Sequence, residues 1–263
     1  MVKKYSALVL ALLGSFSAMS HAETVLKFGV DPSFPPFESK AADGTLVGFD
    51  IDLGNAICKQ ANVKCEWVET AYDSIIPALN AKKFDAVLSA MAITPKRKAQ
   101  VNFTDVLYNI PSVLVAKKGS TLDATAEALK GKVIGVSQGT TQETYAMAVW
   151  QSKGVQVVSY QNQDAVNLDL ESGRIDATFT NAAAAETGFL KTKAGADFAF
   201  VGKTVLDPQY LGEGAAIALR KDDQAHMDII NKALAGIHAN GVYKLLEKKY
   251  FTFDVFKNNK PSA

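Results

Sequence analysis

Short strand-like runs alternate with helical stretches along most of this chain, and this alternation constrains the fold more than any other feature. Such an order is typical of α/β proteins with largely parallel sheets. The predicted strands are Val25–Val30, Val63–Glu69, Phe84–Ser89, Lys132–Ser137, Val155–Tyr160, Ile175–Thr180 and Phe198–Val201. The predicted helices are Ile51–Ala61, Thr141–Ser152, Asp164–Ser172 and Asp223–His238, the last with an apolar stripe at Met227, Ile230, Leu234 and Ile237.

The first 22 residues have the pattern of a secretory signal peptide. Lys3 and Lys4 precede an apolar stretch at 7–13, and Ser20-His21-Ala22 places small residues where signal peptidase reads them. Cleavage is expected before Glu23, giving an exported protein without a lipid-anchoring cysteine. No later segment approaches the ~20 apolar residues that span a bilayer, so direct membrane insertion is not expected.

The length of the chain and a short internal sequence repeat both predict two lobes. Without its first 22 residues the chain still exceeds the about 100 to 150 residues of a usual single core. The run 83–89 (KFDAVLS) is similar in sequence to the run 174–180 (RIDATFT). If these are equivalent central strands, their carboxyl ends would face a ligand cleft between the lobes. A chance match of seven residues is the alternative.

Charge and cysteine content exclude several classes of protein. The 28 basic and 27 acidic residues nearly balance, whereas nucleic-acid binding needs a clustered basic surface. Cys58 and Cys65 suggest one disulfide in an exported chain, with two free thiols as the alternative. Because His226 and His238 are scattered, the sequence predicts no metal site and no cofactor.

Two predicted helix starts carry groups that suit a ligand carboxylate. Thr94 and Pro95 fit the first positions of a short helix, and Arg97 in its first turn can bind a carboxylate bidentately. After the strand that ends at Ser137, the run 139–142 (GTTQ) offers further N–H and O–H donors. The alternatives are a solvated helix arginine and an ordinary capping threonine.

A third group of residues suits a cation. Asp31 and Phe34 follow the first strand in a proline-rich loop, where an acid and an aromatic ring can meet a positive charge. Tyr72 could supply a second aromatic wall. The alternative is that these rings belong to the hydrophobic core, which is the commoner place for an aromatic side chain.

Ordered motifs run along the whole chain: Asp31, Phe34–Phe37, Gly48–Leu53, the pair Cys58 and Cys65, Ile93–Arg97, Gln138–Glu143 and Gly173–Ala177. Together they resemble the periplasmic polar and basic amino-acid binding proteins of ABC transporters, bacterial solute-binding protein family 3. Within that family the chain is most similar to the lysine/arginine/ornithine- and histidine-binding proteins. The resemblance implies the two-lobed periplasmic binding protein fold, with a mostly parallel, helix-flanked sheet in each lobe.

The resemblance also implies how the parts are used. Residues 23–110 and 207–263 would form lobe 1 and residues 111–206 lobe 2, joined by crossings near 109–112 and 205–210. A periplasmic monomer would close on a polar or basic L-amino acid and deliver it to a membrane permease. The ligand-contacting residues would be Asp31, Phe34, Tyr72, Ser89, Ala90, Ala92, Arg97, Ser137, Thr141, Gln142 and Asn181.

Roles within that set follow from the same resemblance. Arg97 and Thr141 would hold the ligand α-carboxylate, and Phe34 and Tyr72 would enclose its side chain. Asp31 would meet the distal positive charge.

The chain departs from the family pattern at three of these positions. Serines common in the basic amino-acid binders are replaced by Ala90 and Ala92, and the acid that usually meets the ligand α-ammonium is replaced by Asn181. Relatives that bind opines, whose α-nitrogen is alkylated, also have an asparagine there. Free basic amino acids therefore rank first as ligands, and opines or other N-substituted amino acids second.

Two enzyme classes remain as rivals. Residues 135–139 (GVSQG) match the nucleophile elbow of serine hydrolases, with Ser137 as nucleophile. A dehydratase built on the two-lobed fold would need a general acid or base in the cleft, a role that Asp31 could serve and Asn181 could not. The sequence favours a binding protein over both enzymes.

Overall fold

The computed structural model describes residues 24–252 and residue 255. The predicted signal peptide therefore lies outside the described residues. The strands are β1 (Val25–Val30), β2 (Ser33–Phe34), β3 (Glu38–Lys40), β4 (Leu46–Val47), β5 (Lys64–Glu69), β6 (Ala86–Val87), β7 (Asn102–Phe103), β8 (Ser112–Lys117), β9 (Val133–Ser137), β10 (Gln156–Tyr160), β11 (Ala177–Asn181), β12 (Phe198–Val205) and β13 (Ala218–Leu219).

Helices flank these strands. The α-helices are α1 (Phe49–Ala61), α2 (Ile75–Asn80), α3 (Pro95–Lys98), α4 (Ala126–Leu129), α5 (Thr141–Tyr145), α6 (Gln163–Glu171), α7 (Ala182–Ala185), α8 (Pro208–Leu211), α9 (Gln224–Ala239) and α10 (Val242–Tyr250). Helices α5 and α7 continue as π-helical turns over Ala146–Trp150 and Glu186–Leu190. Among the described residues, no helix combines the length and the apolar character needed to cross a bilayer.

Two five-stranded sheets form the centres of the two lobes. Their strand orders are β5-β1-β6-β13-β7 and β10-β9-β11-β8-β12. In each sheet the first three strands are parallel, and the fourth is antiparallel to both of its neighbours. Four strands of each sheet therefore run in one direction, which confirms the predicted α/β fold with mostly parallel sheets. A small antiparallel sheet, β2-β3-β4, follows β1.

The short internal sequence repeat corresponds to equivalent strands of the two lobes. Strand β6 and strand β11 each hold the third position of their sheet, parallel to one neighbour and antiparallel to the other. The chain passes from the first sheet to the second between β7 and β8, and it returns between β12 and β13. The carboxyl ends of β6 and β11 consequently occupy corresponding places in the two lobes.

Helix α1 is fixed to the first sheet at both ends. It begins after Gly48, where φ is 137° and an added Cβ would lie 2.1 Å from the carbonyl oxygen of Phe37, so only glycine fits. Its apolar face buries Ile57 in the core of the first lobe. A disulfide between Cys58 and Cys65 joins its last turns to β5, which confirms the predicted bridge.

The longest helix, α9, shows how an apolar stripe positions an element. Asp223 caps its first turn. Met227, Ile230, Leu234 and Ile237 are all buried, at the predicted spacing of three and four residues. The stripe packs against α1 and completes the core of the first lobe.

Two predicted elements differ in extent. The expected strand at 84–89 pairs only over Ala86–Val87, because the chain bends out of the sheet toward Ala90, where φ is 47°. The expected helix at 141–152 is α-helical only to Tyr145 and then widens into the π turn that ends at Trp150. Trp150 is fully buried, with its ring centroid 4.7 Å from that of Phe179.

Candidate functional site

A cavity of about 1210 Å³ lies between the two lobes and contains the ends of several strands. Asp31 follows β1, Ser89 and Ala90 follow β6, Ser137 ends β9, and Asn181 ends β11. This arrangement agrees with the general rule that open α/β sheets bind ligands at the carboxyl ends of their strands. All of the predicted ligand-binding residues except Arg97 line the cavity: Asp31, Phe34, Tyr72, Ser89, Ala90, Ala92, Ser137, Thr141, Gln142 and Asn181.

Arg97 is held at the edge of this cavity by a well-defined helix start. The Thr94 hydroxyl accepts a hydrogen bond from the backbone N–H of Arg97 at 3.2 Å, and Pro95 takes the first helical position, as predicted. The side chain is buried, and its guanidinium donates to the Ala92 carbonyl at 2.9 Å and to the Tyr72 hydroxyl at 3.2 Å. It is therefore a positioned cation and not a solvated helix arginine.

Arg97 also joins the two lobes. Its Nη2 donates to the carbonyl oxygen of Gly139 in the second lobe at 3.1 Å. With this contact, three of the five guanidinium N–H groups are used by the described residues, and two are left for a ligand. Gly139 has a φ of +74° and lies so close to the first lobe that an added Cβ would be 2.7 Å from the Cα of Asp73. The lobes are in contact here, as expected of a closed cleft.

The second helix start lies opposite Arg97. Thr140, and not Thr141, is the cap of α5, since the Thr140 hydroxyl accepts from the backbone N–H of Glu143 at 3.1 Å. Thr141 is buried beside it and donates to Gln142, whose amide in turn donates to the Ser112 hydroxyl at 2.8 Å. The threonine and glutamine side chains are thus ordered by their neighbours at the cavity wall.

The first-lobe acid is also ordered. One carboxylate oxygen of Asp31 accepts from the Ser33 hydroxyl at 2.7 Å, and the other accepts from the backbone N–H of Tyr72 at 3.0 Å. Its own backbone N–H donates to the Ser89 hydroxyl at 3.1 Å. The ring of Phe34, half-buried beside this acid, packs on Phe37 with the ring centroids 5.8 Å apart. Asp31 and the aromatic residues Phe34 and Tyr72 therefore all line the cavity.

A buried pair of carboxyl groups lies at the cavity floor, where Glu38 is one of the lining residues, and sequence reasoning missed it. Glu38 and Asp50 are both almost fully buried and lie close enough for each to affect the pKa of the other; the Oε2 atom of Glu38 has no hydrogen-bond partner among the described residues. Burial raises the pKa of Asp50 to about 7, although hydrogen bonds from Ala90 and Tyr108 lower it. Burial, with the neighbouring charge of Asp50, raises the pKa of Glu38 well above its usual range. Both carboxyl groups therefore favour their protonated forms in the folded protein.

This pair supports the bend at the cavity floor. Asp50 accepts a hydrogen bond from the backbone N–H of Ala90 at 2.8 Å and so holds that residue in the left-handed region. Glu38 accepts from the Ser89 hydroxyl at 3.0 Å. The available signal was that Asp50 lies between Phe49 and Ile51 and that Glu38 directly follows Phe37, so that each acid is next to residues of a type that is usually buried.

Asn181 lies at the end of β11, where it caps α7. Its amide oxygen accepts from the backbone N–H groups of Ala183 at 2.9 Å and Ala184 at 3.2 Å. The predicted hydrolase nucleophile, Ser137, also lines the cavity. A hydrolase would need one histidine beside Ser137, but His226 and His238 lie on α9 in the first lobe, and neither lines the cavity.

Comparisons with known proteins agree with this geometry. The model of the bacterial extracellular solute-binding proteins, family 3, matches residues 26–253. The chain is 50% identical over 258 residues to the lysine/arginine/ornithine-binding periplasmic protein of Escherichia coli (strain K12), covering 96% of this chain and 99% of the relative. It is 47% identical over 250 residues to the histidine-binding periplasmic protein of the same strain, covering 95% and 96%.

A solved structure shows the same fold. A periplasmic binding protein of Salmonella typhimurium, described for its high arginine specificity, superposes with a TM-score of 0.81 at 37% identity, over 87% of this chain and 100% of that chain. Sequence and structure comparisons therefore agree over almost the whole described chain. The chain belongs to the bacterial extracellular solute-binding proteins, family 3, which are transport proteins and not enzymes.

Proposed function

We propose that this protein captures a small ligand with a carboxylate at one end and a cation at the other, a basic amino acid or a close derivative, and delivers it to an ABC transporter. The observation that carries the proposal is the position of Tyr72. Its backbone N–H donates to Asp31 and its hydroxyl accepts from Arg97. The negative and positive groups of the site are thus separated by the length of one tyrosine residue, which is about the length of an extended lysine or arginine.

The two ends suit opposite charges. At one end Arg97 keeps two N–H groups for a carboxylate, with Thr141 nearby on the second lobe. At the other end Asp31 offers a charge partner, and the rings of Phe34 and Tyr72 offer cation–π contact. The names of the relatives, which specify lysine, arginine, ornithine and histidine, support the same ligand class.

Closure of the lobes would capture the ligand. We propose lobe 1 as residues 23–110 and 207–263 and lobe 2 as residues 111–206, since the sheet-to-sheet crossings include the two proposed boundaries. The contact between Arg97 and Gly139 forms only when the lobes approach each other. A ligand carboxylate bound by the same guanidinium would therefore favour the closed arrangement.

The proposal places the protein in the periplasm as a free monomer that docks on a membrane permease. The signal-peptide pattern of residues 1–22 supports export. The relatives are periplasmic by name. A monomer with a closing cleft presents both lobes to a transporter.

Isothermal titration calorimetry tests the ligand class. The panel contains arginine, lysine, ornithine, histidine, glutamine, octopine and nopaline. Arg97→Ala should weaken binding of the preferred ligand by at least about tenfold, because a charge-assisted, partly buried contact is lost. Arg174→Ala is the matched control, since Arg174 is exposed and paired with Asp169 away from the cavity. Preference for glutamine, or unchanged affinity in Arg97→Ala, would contradict the proposal.

A further inference from the structure

Two segments of the second lobe contact the first-lobe loop that follows Asp31. Helix α6 packs against strand β2, which is Ser33–Phe34. Gly188, in the π turn after α7, lies so close to this loop that an added Cβ would be 3.0 Å from the Cγ atom of Pro35. The lobes therefore meet beside Asp31, and this contact brings the start of α6 to the Asp31 end of the cavity.

The start of α6 is held in place at this contact. The Asn162 side chain caps the helix by accepting from the backbone N–H of Ala165 at 3.0 Å. Gln163 is buried and lines the cavity, and its amide donates to the Asn167 side chain at 3.1 Å. Asp164 follows in the first helical turn. Since Asn162 makes the cap, the structural role left to Asp164 is a favourable charge at the helix start.

Asp164 and Asp31 form a pair of like charges across the two lobes. Partial burial, and after it the negative charge of Asp31, raises the pKa of Asp164. The two carboxylates are therefore near enough to repel each other. Among the described residues, no lysine or arginine makes an ion pair with either acid. Closure brings these charges together, which opposes closure unless a positive charge is added beside them.

Other charged groups of the site do not balance the pair. Glu38 lines the cavity floor, but its raised pKa favours the neutral form. Arg97 is bonded to the hydroxyl end of Tyr72, away from Asp31. The lysines that line the cavity are Lys98, the last residue of α3, and Lys221, which donates to the Lys98 carbonyl. The cation beside the two aspartates is therefore left to the ligand.

We propose that Asp164 is a specificity-determining residue of this site, because it faces Asp31 across the closing lobes and so favours closure around a ligand whose distal end is positively charged. A cationic side chain lies beside two carboxylates instead of one. A neutral side chain of the same shape leaves the two carboxylates to repel each other. The inference rests on the proposed function, since it takes the distal cation and its place beside Asp31 from there.

The variant Asp164→Asn tests the inference, because it removes the charge with little change of shape. Asp164→Glu keeps a negative charge at the same position. Glu171→Gln is the matched control, since Glu171 is exposed at the other end of α6 and does not line the cavity. Thermal unfolding followed by circular dichroism checks that all three variants keep their folds.

Calorimetry compares each cationic ligand with a neutral counterpart: arginine with citrulline, lysine with norleucine and ornithine with norvaline. The weaker ligand of a pair is measured by displacement. Because Asp164 is exposed, solvent screens its charge, and we expect Asp164→Asn to lower the ratio of cationic to neutral affinity about fivefold. Asp164→Glu and Glu171→Gln should keep the ratio within about twofold of the wild type. A purely structural role of Asp164 would weaken both ligands of a pair equally.

The opposite results separate the two proposals. If Asp164→Asn leaves the ratio unchanged, or if Asp164→Glu lowers it as much as Asp164→Asn does, the inference about Asp164 is wrong while the proposed function stands. If none of the three cationic ligands binds the wild type, the proposed function fails and the inference fails with it.

Discussion

The buried carboxyl pair of Glu38 and Asp50 should make the stability of this protein fall as the pH rises. Burial raises the pKa of Asp50 from 3.8 to about 7, and it raises the pKa of Glu38 well above its usual range. Such an acid keeps its proton in the folded state at a pH where the unfolded chain has released it. The free energy of unfolding therefore decreases with pH between the unfolded-state pKa and the folded-state pKa.

The size of this effect follows from the shifts. For Asp50 the window runs from about pH 4 to about pH 7, and each pH unit within it lowers the free energy of unfolding by ~1.4 kcal/mol. Over roughly three units this amounts to roughly 4 kcal/mol, an upper figure because relaxation around a buried pair reduces the penalty. Glu38 contributes a further decrease of the same sign.

The variant Glu38→Gln isolates one proton of the pair. Its amide has nearly the size and shape of the carboxyl group, and it does not titrate. Between pH 5 and pH 7 the free energy of unfolding should therefore fall less steeply in the variant than in the wild type, by up to about 1.4 kcal/mol per pH unit. Groups that titrate elsewhere contribute equally to both proteins.

Urea unfolding followed by tryptophan fluorescence at pH 5, 6 and 7 measures these slopes. Glu127→Gln is the control, since Glu127 is exposed on α4. The control should parallel the wild type. If Glu38→Gln also parallels the wild type across this range, Glu38 does not hold a proton in the folded state and the reasoning is refuted.

Two further predictions concern the disulfide and the contact between the lobes. Reduction of the bridge between Cys58 and Cys65 should lower the free energy of unfolding by about 2 to 3 kcal/mol without abolishing the fold, because the closed loop is short. Two free thiols in the native, oxidised protein would contradict the bridge. Gly139→Ala should weaken ligand binding about tenfold more than Gly131→Ala, because both glycines have a φ of +74° but only Gly139 lies against Asp73. Equal affinities of the two glycine variants by calorimetry would show that this contact does not limit closure.

Local patterns in the sequence determined much of the fold. The strands β1, β5, β9, β10 and β11 lie within a residue or two of their predicted bounds. The stripe of α9 is buried as its spacing requires. These features depend on hydrophobic periodicity within one segment, and this periodicity can be read directly from the sequence.

Other parts of the fold depend on partners far away in the chain. The antiparallel strands β8 and β13 and the small sheet β2-β3-β4 were not predicted. Strands β6, β7 and β13 pair over only two residues each. Such short pairings leave almost no periodic signal, and it is the neighbouring strands that make them part of a sheet.

For the candidate site too, some features could be predicted from the sequence and others depended on the tertiary structure. Strand-end positions and helix-cap residues indicated Asp31, Arg97 and Asn181, because these signals are local. The raised pKa values of Glu38 and Asp50 were decided only when two segments, twelve positions apart, were buried against each other. The orientation of the Asn181 amide was likewise decided only by the helix that it caps, since a sequence names a side chain but tertiary packing determines which of its atoms stays free.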